Sequence, residues 1–192
     1  MSHEFWEEKL SLLIERDLRL REVLLQRGVL ADTYHPEMEK IHLENARKLK
    51  ALIEKFGFPV LSNAQEKGVR SSWLIIQHAI SWPDFMKESL LQMRLAAAAE
   101  DYILELVAYT EDRVAFFEGR PQLYGTNCDW QEGELKMTPV LEPERLDLRR
   151  KSLGLPPIET VQTPGTLERP PKDAERKKQE FEIWLRKTGW RS

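Results

Sequence analysis

The stretch Gly68-Val-Arg-Ser-Ser-Trp-Leu-Ile-Ile-Gln-His-Ala-Ile80 decides how the chain is read. Its centre, Trp73-Leu-Ile-Ile76, is apolar on every side, so periodicity alone does not separate a buried helix from a buried strand. Ala79 and the polar pair Gln77 and His78 are out of place in a central strand, which makes the segment helical. Once it is a helix, the segments on either side fall into the same class.

Upstream, Phe5, Leu10, Leu13, Ile14, Leu18, Leu20, Leu24 and Leu25 follow helical spacing from Glu4 to Gln26, with Ser2 as a candidate cap and Gly28 as terminator. A second amphipathic segment begins after Pro36 and runs to Phe56, with Gly57 just past its end. Downstream, Ser81-Trp-Pro83 breaks the chain and Asp84 opens a helix to about Ala98. Tyr102 to Phe117 forms another, stopped by Gly119 and Pro121. The texture then changes: Leu123 to Trp130 and Leu135 to Val140 flank a turn-like Gln-Glu-Gly-Glu and predict a small hairpin. A short basic helix follows from Pro143 to Ser152, then a proline-containing strap and a charged helix from Asp173 to Arg186 carrying Phe181, Trp184 and Leu185. The expected fold is mainly α: a helical bundle with a small β-hairpin or irregular insert after Gly119 and a C-terminal docking helix. The expected division is a helical domain over residues 1–160 and a strap with its helix over 161–192.

Composition narrows the function classes. The 192 residues carry 29 basic and 32 acidic side chains, a net charge of −3, so the excess of cations that drives general nucleic-acid binding is missing. No apolar run approaches the roughly 20 residues that span a bilayer, and the start lacks the basic and apolar regions of a secretory leader. Cys128 is the single cysteine, which fits a reducing compartment, and the expected location is the cytoplasm. A small molecule or another protein is the expected partner.

His78 is the first candidate for chemistry. A buried imidazole must be hydrogen-bonded, so it is either a core histidine satisfied by its surroundings or a general acid/base. Asp112 and Arg113 end a helix; they read as a solvated face or as a carboxylate that orients His78 beside a guanidinium that holds an anion. Gln122, Tyr124 and Thr126, on the Gly119 to Thr126 loop, join Gln77 as candidate substrate-binding groups. The loop is not a phosphate-binding loop, which needs GxxxxGK[ST]. His35, Glu39 and His42 share helical spacing, but the second Glu-x-x-His of a di-iron bundle is absent, so no metal and no cofactor is expected. Asp17 and Arg21 read as an exposed i,i+4 ion pair, and the run Arg149-Arg-Lys151 as a helix surface. Cys128 has no activating neighbour.

Four words occur in order: Trp73-Leu-Ile-Ile-Gln-His-Ala79, Ala108-Tyr-Thr-Glu-Asp-Arg113, Gly119-Arg-Pro-Gln-Leu-Tyr-Gly-Thr126 and Arg149-Arg-Lys-Ser-Leu-Gly-Leu-Pro156. Together with His42-Leu-Glu-Asn45 and Gly57-Phe-Pro59 they resemble a bacterial family classed as domain of unknown function 6624, over roughly Asp17 to Pro157. Asn127 stands where that family usually has glutamine. The resemblance supplies no chemistry; it implies that these residues belong together. Two functions follow as expectations: an enzyme, a hydrolase or group transferase acting on a small polar or anionic molecule with His78 and Asp112 as its catalytic pair, or a protein-binding or regulatory module whose polar cluster is structural.

Overall fold

The computed structural model describes residues 3–29, 34–99, 103–131, 134–160 and 173–192. Among them are seven α-helices and one two-stranded antiparallel sheet, so the mainly helical expectation holds. The candidate cap Ser2, the hairpin turn at 132–133 and most of the proline-containing strap lie outside the described residues. The chain divides into two compact units, residues 1–92 and 93–192. The C-terminal helix lies within the second unit.

In the first unit, α1 (His3–Gln26), α2 (Pro36–Phe56) and α3 (Leu61–His78) pack on one another, followed by the start of α4 (Pro83–Ala97). The buried stripe of α1 is Trp6, Leu10, Leu13, Asp17 and Leu24, spaced three, four or seven residues apart, as one helix face requires. On α2 the matching stripe is Met38, His42, Asn45, Ala46 and Leu49. His35 caps this helix, its Nδ1 accepting from the Glu37 N–H at 3.3 Å, with Pro36 in the first turn where its missing N–H costs nothing. Gly57, at φ +83°, closes the other end.

The helix carrying the deciding stretch starts at Leu61, seven residues before the sequence pattern suggests. Asn63 is the cause: its Oδ1 accepts from the Val60 N–H at 2.9 Å and its Nδ2 donates to the Phe58 carbonyl at 3.0 Å, which ties the turn after Gly57 to the new helix. Gln65, at φ 54°, kinks the first turns, so apolar periodicity becomes regular only beyond it. Gly68 then allows close approach of α1: a Cβ there would lie 2.9 Å from that of Ala64 and 3.4 Å from that of Trp6.

In the second unit, α5 (Leu104–Glu118) ends at Gly119 in the left-handed conformation. Strand β1 (Cys128–Gln131) pairs with β2 (Glu134–Met137), Cys128 opposite Met137 and Trp130 opposite Leu135. This is the expected hairpin, shorter than the sequence suggests. A 3-10 turn at Pro143–Arg145 leads into α6 (Leu146–Ser152), and α7 (Ala174–Thr188) follows. Leu185 and Trp190 of the last segment are buried, and Phe117 meets Trp190 at 5.0 Å between ring centroids. Arg191 donates to the Phe116 and Phe117 carbonyls at 3.0 and 2.9 Å, satisfying groups that the end of α5 leaves open. The C-terminal helix docks in that sense.

Candidate functional site

The first unit brings one residue from each of three helices to a single point: Asp17 from α1, His42 from α2 and His78 from α3. Asp17 is 1% exposed. Its Oδ1 lies 3.1 Å from His42 Nε2 and its Oδ2 lies 2.6 Å from His78 Nδ1. The two imidazoles sit 4.6 Å apart between centroids. Burial pushes the Asp17 carboxyl up, but the two imidazole hydrogen bonds and the charges behind them outweigh it and hold the group well below the usual carboxylate range. Asp17 is thus an anion facing two rings.

The surroundings extend this contact into a chain. His42 Nδ1 shares a 2.7 Å hydrogen bond with the Tyr34 hydroxyl, whose ring stacks on the imidazole at 5.6 Å. The Tyr34 hydroxyl also meets Ser81, and Ser81 donates to Glu39 Oε1 at 2.6 Å. Burial and the nearby Glu39 and Asp17 push the Tyr34 phenol far above its ordinary value, so it stays protonated. One turn beyond His42, Asn45 donates to the Leu13 carbonyl at 3.0 Å and fixes α2 against the turn of α1 that carries Asp17. His42 is buried, whereas the His78 side chain is 25% exposed. Only His78 gives this centre a face toward solvent through an imidazole.

Asp17 is the residue that sequence reasoning missed. It was expected on the surface with Arg21, yet it occupies the core stripe between Leu13 and Leu24. A charged residue on that stripe is itself the signal, since an acid is almost never buried without a partner. The expected pairing of His78 with Asp112 is corrected by the same geometry: His78 Nδ1 is on Asp17, and the Asp112 oxygens are occupied by other donors. His35, Glu39 and His42 do not share a site, because His35 caps α2 and Glu39 turns to Ser81. Gln77 is buried and has an interaction partner of its own.

The second unit holds the other sequence candidates. Asp112, 0% exposed, accepts the Leu123 N–H at 2.7 Å on Oδ1, the Tyr124 N–H at 3.1 and 3.2 Å across both oxygens, and the Thr126 N–H and hydroxyl at 3.0 and 2.9 Å on Oδ2. The carbonyls of the same loop face cations: Arg149 Nε donates to Leu123 at 2.8 Å, and Arg150 donates to Tyr124 and, at 2.7 Å, to Pro156. Gln122 completes the clamp, its Nε2 donating to the Asn127 and Thr138 carbonyls at 3.0 and 2.8 Å while its Oε1 accepts the Asn127 N–H at 2.9 Å. One carboxylate takes the donors, two guanidinium groups take the acceptors, and the amide does both. Gly125, at φ +67°, makes the bend. Burial lowers the Arg113 guanidinium, raises the Tyr124 phenol with help from Glu111 and Asp112, and raises the Cys128 thiol, which keeps the thiol from acting as a ready nucleophile.

A groove of about 1230 Å³ in the first unit, walled by Leu12, Leu18, Leu52 and Phe56, includes none of Asp17, His42 and His78. Its walls also carry charged residues such as Lys9, Glu15 and Arg19, but none of the three groups of the centre. The site worth the name is the Asp–His–His centre.

Fold and centre together define a helical protein built around a buried carboxylate bridging two imidazoles. A family model described as a family of unknown function, domain of unknown function 6624, matches residues 9–163, and the chain belongs to that family. The match includes both the Asp17 centre and the Asp112 loop and stops before α7. No curated protein and no solved structure matches the chain. No helix among the described residues is long and apolar enough to cross a membrane.

Proposed function

We propose that the chain is a hydrolase or group transferase for a small polar or anionic molecule, in which His78 transfers the proton and Asp17 is the residue that positions it. The observation that carries this reading is the 2.6 Å contact between buried Asp17 Oδ2 and His78 Nδ1, with the His78 side chain 25% exposed. With its Nδ1–H fixed on a carboxylate, the imidazole keeps its Nε2 lone pair for an incoming acid proton. That wiring orients a general base in many hydrolytic sites. The second imidazole, His42, holds the other oxygen of Asp17 and so restrains the rotation of the carboxylate.

The test is turnover by the metal-stripped full chain on a panel of aryl esters, aryl phosphates and aryl amides. His78→Gln is expected to lower kcat by about 100-fold or more, with Tm within a few degrees of the parent. Asp17→Asn is expected to lower kcat with little change in KM. A wild-type chain inert across the panel, or a His78→Gln chain that keeps full turnover, overturns the reading. Unfolding on His78→Gln instead assigns the imidazole to the core.

A further inference from the structure

We infer that Asp17, His42 and His78 form a binding site for one first-row divalent cation of the zinc or cobalt type. One ligand atom from each of the three residues lies within 4.8 Å of the other two. Bonds of about 2.0–2.2 Å to imidazole nitrogen and carboxylate oxygen are therefore within reach of side-chain rotation. Two imidazoles and one carboxylate favour transition metals over magnesium or calcium, which prefer oxygen ligands throughout.

The contacts around the cluster point the same way. Four links run in series from Glu39 through Ser81, Tyr34 and His42 to Asp17. On the far side of the His42 ring, Nδ1 shares a 2.7 Å hydrogen bond with the Tyr34 hydroxyl. His42 Nε2 and Asp17 Oδ1 face each other at 3.1 Å, close enough for both to reach one cation between them. The hydrogen bond on Nδ1 is the outer support that a metal-ligating histidine ordinarily has. On the other side, the part-exposed His78 leaves a position open to water or substrate.

Binding replaces the Nδ1–H contact that His78 makes with Asp17: as Nδ1 takes the ion, its proton moves to Nε2 of the same ring, so no net proton is lost. The two occupancies have different chemistry. Without the ion His78 Nε2 is a base, as proposed above, and with it both imidazoles are ligands and activation of water passes to the ion. The inference concerns the same centre but needs no turnover to be tested.

Metal-stripped full chain titrated with cobalt(II) is expected to develop saturable d–d absorption at one equivalent, displaced by zinc. Asp17→Asn and His42→Gln are expected to weaken binding by more than about 100-fold, and Tyr34→Phe, which removes only the outer hydrogen bond, by about 10-fold. His35→Gln is expected to bind as the parent does. Should the variants fail to fold, wild-type crystals soaked in cobalt(II) are expected to show an anomalous peak between the three side chains. Absence of that peak, absence of absorption in the wild type, or an unchanged signal in folded Asp17→Asn overturns the site. None of these readouts depends on turnover, so failure of the acid–base reading is recognised separately.

Discussion

Asp17 and Asp112 are both buried, at 1% and 0% exposure, and both accept hydrogen bonds on both carboxylate oxygens. What differs is the donor. Asp112 faces backbone N–H groups and a threonine hydroxyl, whose protons do not leave under ordinary conditions, so its contacts can only hold shape. Asp17 faces two imidazoles, the side chains that gain and lose protons near neutral pH and that bind metals most readily. Two aspartates of equal burial thus take different work: one closes a loop, the other sets up a centre able to move a proton or hold an ion.

That contrast can be broken first at Asp112. Asp112→Ala leaves four part-buried donors around Leu123, Tyr124 and Thr126 without their carboxylate, and the expected loss of stability is about 3 kcal/mol by urea unfolding. A loss under about 1 kcal/mol would mean that the loop holds itself without the carboxylate. Gly125→Ala sharpens the same side. The residue sits at φ +67° and its Cβ would come within 2.7 Å of Met137 Sδ, so about 1–2 kcal/mol should be lost by thermal melting. Parent-like stability would show that the bend relaxes freely.

The Asp17 side predicts smaller changes in stability and larger ones in chemistry. Asn45→Ala removes the hydrogen bond that fixes α2 on the Leu13 turn and is expected to cost about 1–2 kcal/mol, measured by urea unfolding. His78→Gln keeps a part-exposed polar side chain at that position and is expected to change stability by less than about 1 kcal/mol, while turnover falls as described above. If the His78 variant proved as damaging to folding as the Asp112 variant, the two aspartates would be structural alike.

The motif words also divide along this line. Asp112, the Gly119 to Thr126 loop, Arg149-Arg150 and the Gly-Leu-Pro segment are far apart in sequence, yet the hydrogen bonds of one loop join them. Reading Gln122 and Thr126 as substrate-binding groups was natural for polar residues on a glycine-containing loop. In the structure their polar atoms serve the loop itself. Arg149 and Arg150, read as a basic helix surface, serve it too. Nothing in local sequence distinguishes a guanidinium that meets solvent from one that meets a carbonyl 26 residues away.

The sequence by itself determined the helical class, the helix order, the hairpin and the C-terminal docking helix, because apolar period, capping residues and glycine stops act within a few residues of chain. It also singled out His78, a polar residue at the end of an apolar run. Only the tertiary structure decided that Asp17 is its partner, that His42 joins them and that Asp112 does not. Those choices depend on which faces of α1, α2 and α3 meet: the side chains of Asp17 and His78 are 61 residues apart and touch because Gly68 lets α1 and α3 approach closely. Burial then turns a residue that reads as half of a surface ion pair into the anion at the centre of the site.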